Sequence, residues 1–108
     1  MQEFAGQVAV ITGGASGVGR SLAFALGRRG ARVVAADVDR NAMDALERDA
    51  SAVGIGLLTR RCDVTAGADC EALAGYAMNE HGRIDMVFAN AGIGAGEAGP
   101  MWTYSMKD

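Results

Sequence analysis

Thr12-Gly13-Gly14-Ala15-Ser16-Gly17-Val18-Gly19 follows directly on the apolar run of residues 7–11 and directly precedes a segment with helical apolar spacing. A strand, a glycine turn and a helix in that order bring backbone N–H groups together at a helix N-terminus, whose dipole favours an anion. Gly13 lets the chain leave the strand with a positive φ. Gly17 and Gly19 remove side chains where backbone meets a phosphate group and where helix meets strand. The spacing is Gly-x-x-x-Gly-x-Gly rather than the commoner Gly-x-Gly-x-x-Gly; read from Gly17, Leu22 falls where the third glycine would stand.

Outward from this turn, short apolar runs alternate with helical periods, which argues for a parallel sheet with crossover helices. Strands are expected at 7–12, 32–37, 57–63 and 84–90, with the Val, Ile, Leu and Ala content of strands covered on both faces. The first helix is expected over 18–29, with Val18, Leu22, Ala25 and Leu26 on one stripe and Gly30 as its C-terminal stop. Asp39 is placed to cap a second helix that presents Ala42, Met43, Leu46 and Ala50. A third helix presents Cys70, Leu73, Ala74, Ala77 and Met78, with Thr65 before it and Gly82 after it. Residues 92–100 read as a glycine-rich loop. Right-handed crossovers then put the first two helices on one face and the third on the other, in strand order 3-2-1-4. The expected fold class is therefore α/β, a three-layer Rossmann-like parallel sheet with helices on both faces and its switch point between strands one and four.

At 108 residues the chain is one domain at most, and 50% hydrophobic with 21% charged residues is a globular profile. A net charge of −3 and dispersed arginines argue against a nucleic-acid partner. No run approaches the length of a membrane span. The start Met1-Gln2-Glu3-Phe4 lacks a basic leader, so the cytoplasm is the expected compartment. Cys62 and Cys70, with His81 as the single histidine, argue against a zinc site and for two partly buried, reduced thiols.

Three further motifs fall at strand ends. Asp37 ends the second strand, eighteen residues beyond Gly19, where a carboxylate can accept from ribose hydroxyls and repel a 2′-phosphate. The alternative is a solvated aspartate or a helix cap beside Asp39, with Arg40 on an exposed first turn. Asp63 can accept from an adenine amino group while Val64 packs on the ring, or Asp63 can simply start a helix beside Thr65. Asn90-Ala91-Gly92 can tie strand ends together and leave room for a ribose, or form a plain turn. All four motifs meet at the carboxyl edge of the sheet, where open α/β folds bind ligands.

Carrying Thr12-Gly13-x-x-x-Gly17-x-Gly19, Asp37, Cys62-Asp63-Val64 and Asn90-Ala91-Gly92 in this order, the chain resembles the short-chain dehydrogenase/reductase family over about residues 7–108. The resemblance implies an oxidoreductase using NAD(P)(H) on an alcohol or carbonyl substrate. It assigns Gly13, Ser16, Gly17, Val18 and Gly19 to the pyrophosphate, Asp37 to the adenosine ribose and Asp63 and Val64 to the adenine. Asn90, Ala91 and Gly92 go to the adenosine side and the sheet. Asp37 favours NAD over NADP. The family's catalytic serine, Tyr-x-x-x-Lys pair and helix asparagine lie beyond residue 108. Tyr104 and Lys107 are spaced Tyr-x-x-Lys and follow Asn90 too closely, so they read as the start of a surface helix and no catalytic residue is named.

Residues 1–108 are thus expected to be the N-terminal dinucleotide-binding part of one Rossmann domain, inactive alone. Its fourth strand is expected to present an unpaired edge. Homo-oligomers are expected only with the missing C-terminal part. Two rivals remain: a stand-alone NAD(H)-binding regulatory module, and an S-adenosylmethionine methyltransferase, against which Thr12 and Asn90-Ala91-Gly92 argue.

Overall fold

A computed structural model describes residues 3–15 and 17–90, together with the backbone of 102–105. Its strands are β1 (Val8–Thr12), β2 (Arg32–Asp37), β3 (Leu57–Arg61), β4 (Met86–Ala89) and β5 (Trp102–Ser105); its helices are α1 (Gly17–Arg28), α2 (Arg40–Ala52) and α3 (Gly67–His81). The sheet order is β3-β2-β1-β4-β5, with the first four strands parallel and β5 antiparallel to β4. The expected 3-2-1-4 order and the switch point between β1 and β4 are present.

Alternation along each strand sorts the apolar residues between two faces. Ala9, Ile11, Val33, Leu57, Met86 and Phe88 pack with Ala23 and Leu26 of α1. Val10, Val34, Leu58 and Val87 pack with Leu73, Tyr76 and Ala77 of α3. On the first face α2 lies beside α1: Arg20 pairs with Asp49 at 2.5 Å, and the Thr59 hydroxyl donates to Glu47. Arg60, on the second face of β3, stacks 5.2 Å from the Tyr76 ring centroid.

The helix ends follow local chemistry. Asp39 caps α2, its side chain accepting from Ala42 N at 3.0 Å. Gly30 has φ +93° after α1, and Gly82 closes α3 in the left-handed region. Thr65 does not cap α3, because its hydroxyl donates to Asp63 Oδ1 at 2.6 Å and the helix starts after Ala66 without a side-chain cap.

Five expectations are corrected. The edge of β4 is not open, since β5 pairs with it, and Tyr104 begins no surface helix but lies in that strand. Unpaired N–H and C=O groups along β4 select the extended form, which Trp-Thr-Tyr also favours. Strands three and four are shorter than expected at both ends of the latter and at the end of the former; Cys62 still extends the ladder through Cys62 N to Asp37 O at 3.0 Å. On α3 only Leu73 and Ala77 are buried, whereas Cys70, Ala74 and Met78 are exposed. Cys70 and Ala74 instead line an apolar groove of about 210 Å³ with Val10, Thr12, Ile84 and Val87. Cys70 is therefore not one of two partly buried thiols: Cys62 is buried and Cys70 is not. The loop expected at 92–100 and Lys107 lie outside the described residues. Among those described, no helix is long and apolar enough to cross a membrane.

Candidate functional site

Close contacts at Gly14 and Gly19 hold the glycine turn and leave no room there for side chains. Gly14 N donates to Ala36 O at 3.1 Å, which lays the turn against the end of β2. A Cβ on Gly19 would stand 2.0 Å from Gly13 O, so α1 approaches the turn backbone to backbone. Gly17, the first residue of α1, has φ +57°, a conformation that a side chain disfavours, with open space around it. The first turn of α1 carries no acidic residue, so the positive end of its dipole is not offset by its own side chains. Val18 is 56% exposed on that turn.

Two side chains from other strands clamp the turn. Asp37 Oδ2 accepts from Ala15 N at 3.2 Å, while its Oδ1 accepts from Val38 N at 2.8 Å and Asp39 N at 3.2 Å. These three donors occupy three of a carboxylate's roughly four acceptor positions, which leaves capacity for a hydroxyl. From the other side, Asn90 donates through Nδ2 to Gly13 O at 3.2 Å and through its backbone N to Thr12 Oγ1 at 3.1 Å. The Thr12 hydroxyl in turn donates to Phe88 O at 3.4 Å. Asn90 therefore ties β4 to the turn after β1, as its amide suggested.

Asp63 and Val64 follow β3 on the same edge. The Thr65 hydroxyl and N–H, both on Asp63 Oδ1, hold this carboxyl below the ordinary carboxylate range. Asp63 N donates to Asp69 Oδ2 at 3.0 Å, which closes the turn into α3. Val64 is half-buried against the core cluster that includes Cys62, Leu73 and Ala77. Arg40 begins α2, exposed, with Asp44 4.0 Å away.

Of the expected site residues, Gly13, Gly17, Val18, Gly19, Asp37 and Asn90 come together at the carboxyl ends of β1, β2 and β4, with Asp63 and Val64 beside them. Ser16, Ala91 and Gly92 lie outside the described residues. Sequence reasoning missed Gly14 and Ala15, because a bond to Ala36 O and a donor to Asp37 are visible only once β1 and β2 are adjacent. A larger cavity, about 330 Å³, lies at the opposite end of the sheet between Arg32, Val33, Gly56, Leu57, Leu58 and His81. It is remote from the switch point, where open α/β sheets bind ligands, and the carboxyl edge is the better candidate.

The arrangement suits a nucleotide: an un-neutralised helix N-terminus and a cradle that a Cβ would fill meet a carboxylate with acceptor capacity at the second strand. Comparisons with known proteins agree with it. The family described as short chain dehydrogenase matches residues 7–108. Sex determination protein tasselseed-2 from Zea mays is 42% identical over 82% of this chain and 26% of its own length. A short chain dehydrogenase/reductase from Burkholderia phymatum, solved with NAD, aligns at a TM-score of 0.75 and 39% identity over 81% of this chain and 31% of that one. A metagenomic short-chain oxidoreductase solved with NADP aligns at 0.72 and 38% identity over 76% of this chain and 37% of that one. This chain spans about a quarter to a third of the length of curated relatives that it matches. With the family model matching residues 7–108 and solved members sharing this fold at 38–39% identity, the chain belongs to the short chain dehydrogenase family.

Proposed function

We propose that residues 1–108 are the N-terminal dinucleotide-binding part of a single Rossmann domain and that they bind NAD in preference to NADP. The backbone of Gly13, Ser16, Gly17, Val18 and Gly19 takes the pyrophosphate, Asp37 the adenosine ribose, Asp63 and Val64 the adenine edge, and Asn90, Ala91 and Gly92 the adenosine side. The observation that supports this reading best is Asp37: at the end of the second strand one of its oxygens accepts from Ala15 N of the glycine turn, and a carboxylate beside that turn would repel a 2′-phosphate. The bound nicotinamide would supply hydride acceptance or donation, and the substrate class is an alcohol or carbonyl small molecule. What this chain's residues contribute is orientation of that cofactor. Turnover is expected from a longer protein that carries the family's serine and Tyr-x-x-x-Lys acid, in the cytoplasm.

Calorimetric titration of the chain with NAD, NADP and S-adenosylmethionine tests the reading. Saturable NAD binding, weaker by about tenfold for NADP, is the expected result, a difference of about 1.4 kcal/mol. Preference for S-adenosylmethionine, or no binding of any of the three, overturns it.

A further inference from the structure

The turn from β3 into α3 carries two cysteines that nucleotide binding leaves unused. Cys62, directly after β3, is 2% exposed, and Cys70, one turn into α3, is exposed. The backbone between them folds back on itself. Ala66 N donates to Asp63 O at 3.0 Å, Cys70 N donates to Ala66 O at 3.2 Å, and Asp63 N donates to Asp69 Oδ2 at 3.0 Å. The neighbour of one cysteine is thus bonded to the neighbour of the other. The Cys70 thiol reaches Val64 O, two residues on from Cys62, at 3.6 Å.

We propose that Cys62 and Cys70 are a dithiol–disulfide pair whose oxidation gates the adenine side of the dinucleotide site. The gating rests on the reading of Asp63 and Val64 given above; the pairing does not. A low-molecular-weight disulfide such as glutathione disulfide is the oxidant. The exposed Cys70, as thiolate, attacks one of its sulfurs and expels a glutathione thiolate, leaving a mixed disulfide on Cys70. Cys62 then loses its proton and attacks the Cys70 sulfur, expelling the second glutathione. The protein dithiol is oxidised by two electrons, the small disulfide is reduced to two thiols, and one S–S bond replaces another. Burial first, then the neighbouring Cys70, Asp69 and Asp63, push the Cys62 thiol up and keep it protonated, which makes Cys70 the first attacker.

The product draws the sulfurs to about 2.05 Å. The Cys70 thiol can then no longer donate to Val64 O, and the segment 63–64 moves with the contracted turn.

The test is run on the whole chain, reduced, then exposed to glutathione disulfide, alkylated and digested with trypsin. Cys62 and Cys70 fall in one tryptic peptide, residues 62–83, with no internal Lys or Arg. The expected product is that peptide unalkylated and about 2 Da lighter, restored by dithiothreitol. Fluorescence titration with NADH should show about tenfold weaker binding by the oxidised chain. Cys70→Ser should bind like the reduced chain under both conditions. A glutathione adduct confined to Cys70, with Cys62 still alkylated, overturns the pair. A disulfide that leaves NADH affinity unchanged overturns the gating. A reduced chain that binds no NADH overturns the site reading and the gating with it, and the peptide mass still decides the pair.

Discussion

Asp37 at the carboxyl end of β2 and Asp85 just before β4 are used in opposite ways at the two ends of the sheet. Asp85 accepts from Val8 N at 2.8 Å and is gripped by Arg83 through two bonds of 2.8 and 2.6 Å. That guanidinium, ahead of the Val8 N–H, holds its carboxyl below the ordinary range. Asp37 also accepts backbone N–H groups, yet among the described residues no ion pair involves it. A carboxylate neutralised in place serves the fold, joining β1 to β4 at their amino ends. One satisfied by neutral donors alone keeps its charge and its acceptor capacity for something brought from outside.

The largest effect should come from removing one side of this comparison altogether. Gly19→Ala puts a Cβ 2.0 Å from Gly13 O, and backbone must shift. A loss of about 3 kcal/mol or more in chemical denaturation, with no detectable dinucleotide binding, is expected. Retained binding would show that the turn is not the cradle. Asp37→Asn should weaken NAD about tenfold and narrow the NAD-to-NADP ratio by a comparable factor, read by calorimetry. Removing the charge removes the repulsion of a 2′-phosphate. An unchanged ratio would make Asp37 as purely structural as Asp85.

Asp85→Asn is expected to cost about 1–3 kcal/mol in denaturant unfolding, because a charge-assisted bond between β1 and the start of β4 is lost. It should leave NAD affinity alone. A change in affinity would mean that the two ends are coupled.

The smallest effect is on pH. Since the folded chain holds Asp85 below its unfolded pKa, the stability it contributes is present above about pH 4 and is lost as pH falls through the folded value. Acid titration of the melting temperature should therefore show a shallower decline below about pH 4 in Asp85→Asn than in the parent chain. Identical slopes would count against the Arg83–Asp85 pair as its source.

The carboxyl end was largely legible beforehand because its signals are local. Val8–Ile11 is apolar throughout and needs cover on both faces. Asp37 and Asn90 stand at strand ends, where a polar side chain has few structural reasons to be unless it ties or binds. Asp39 showed its capping role by position alone. The amino end was not legible: nothing around Asp85 marks it as the partner of Val8, 77 residues away. The same holds for Gly14 under Ala36 and for β5, whose pairing depends on an edge that forms only after β1 and β4 are side by side. On α3 the apolar spacing correctly marked a helix but overstated its burial, because periodicity names the inward face without saying how much of the molecule covers it.

Sequence by itself determined the element order, the crossover pattern and the glycine turn at the switch point, since these rest on side-chain period, backbone freedom and chain handedness within short windows. Only the tertiary structure decided which carboxylate is neutralised, which thiol is buried and which strand edge is paired. Each of those depends on groups distant in the chain arriving within hydrogen-bonding distance, and no local pattern records where they will meet.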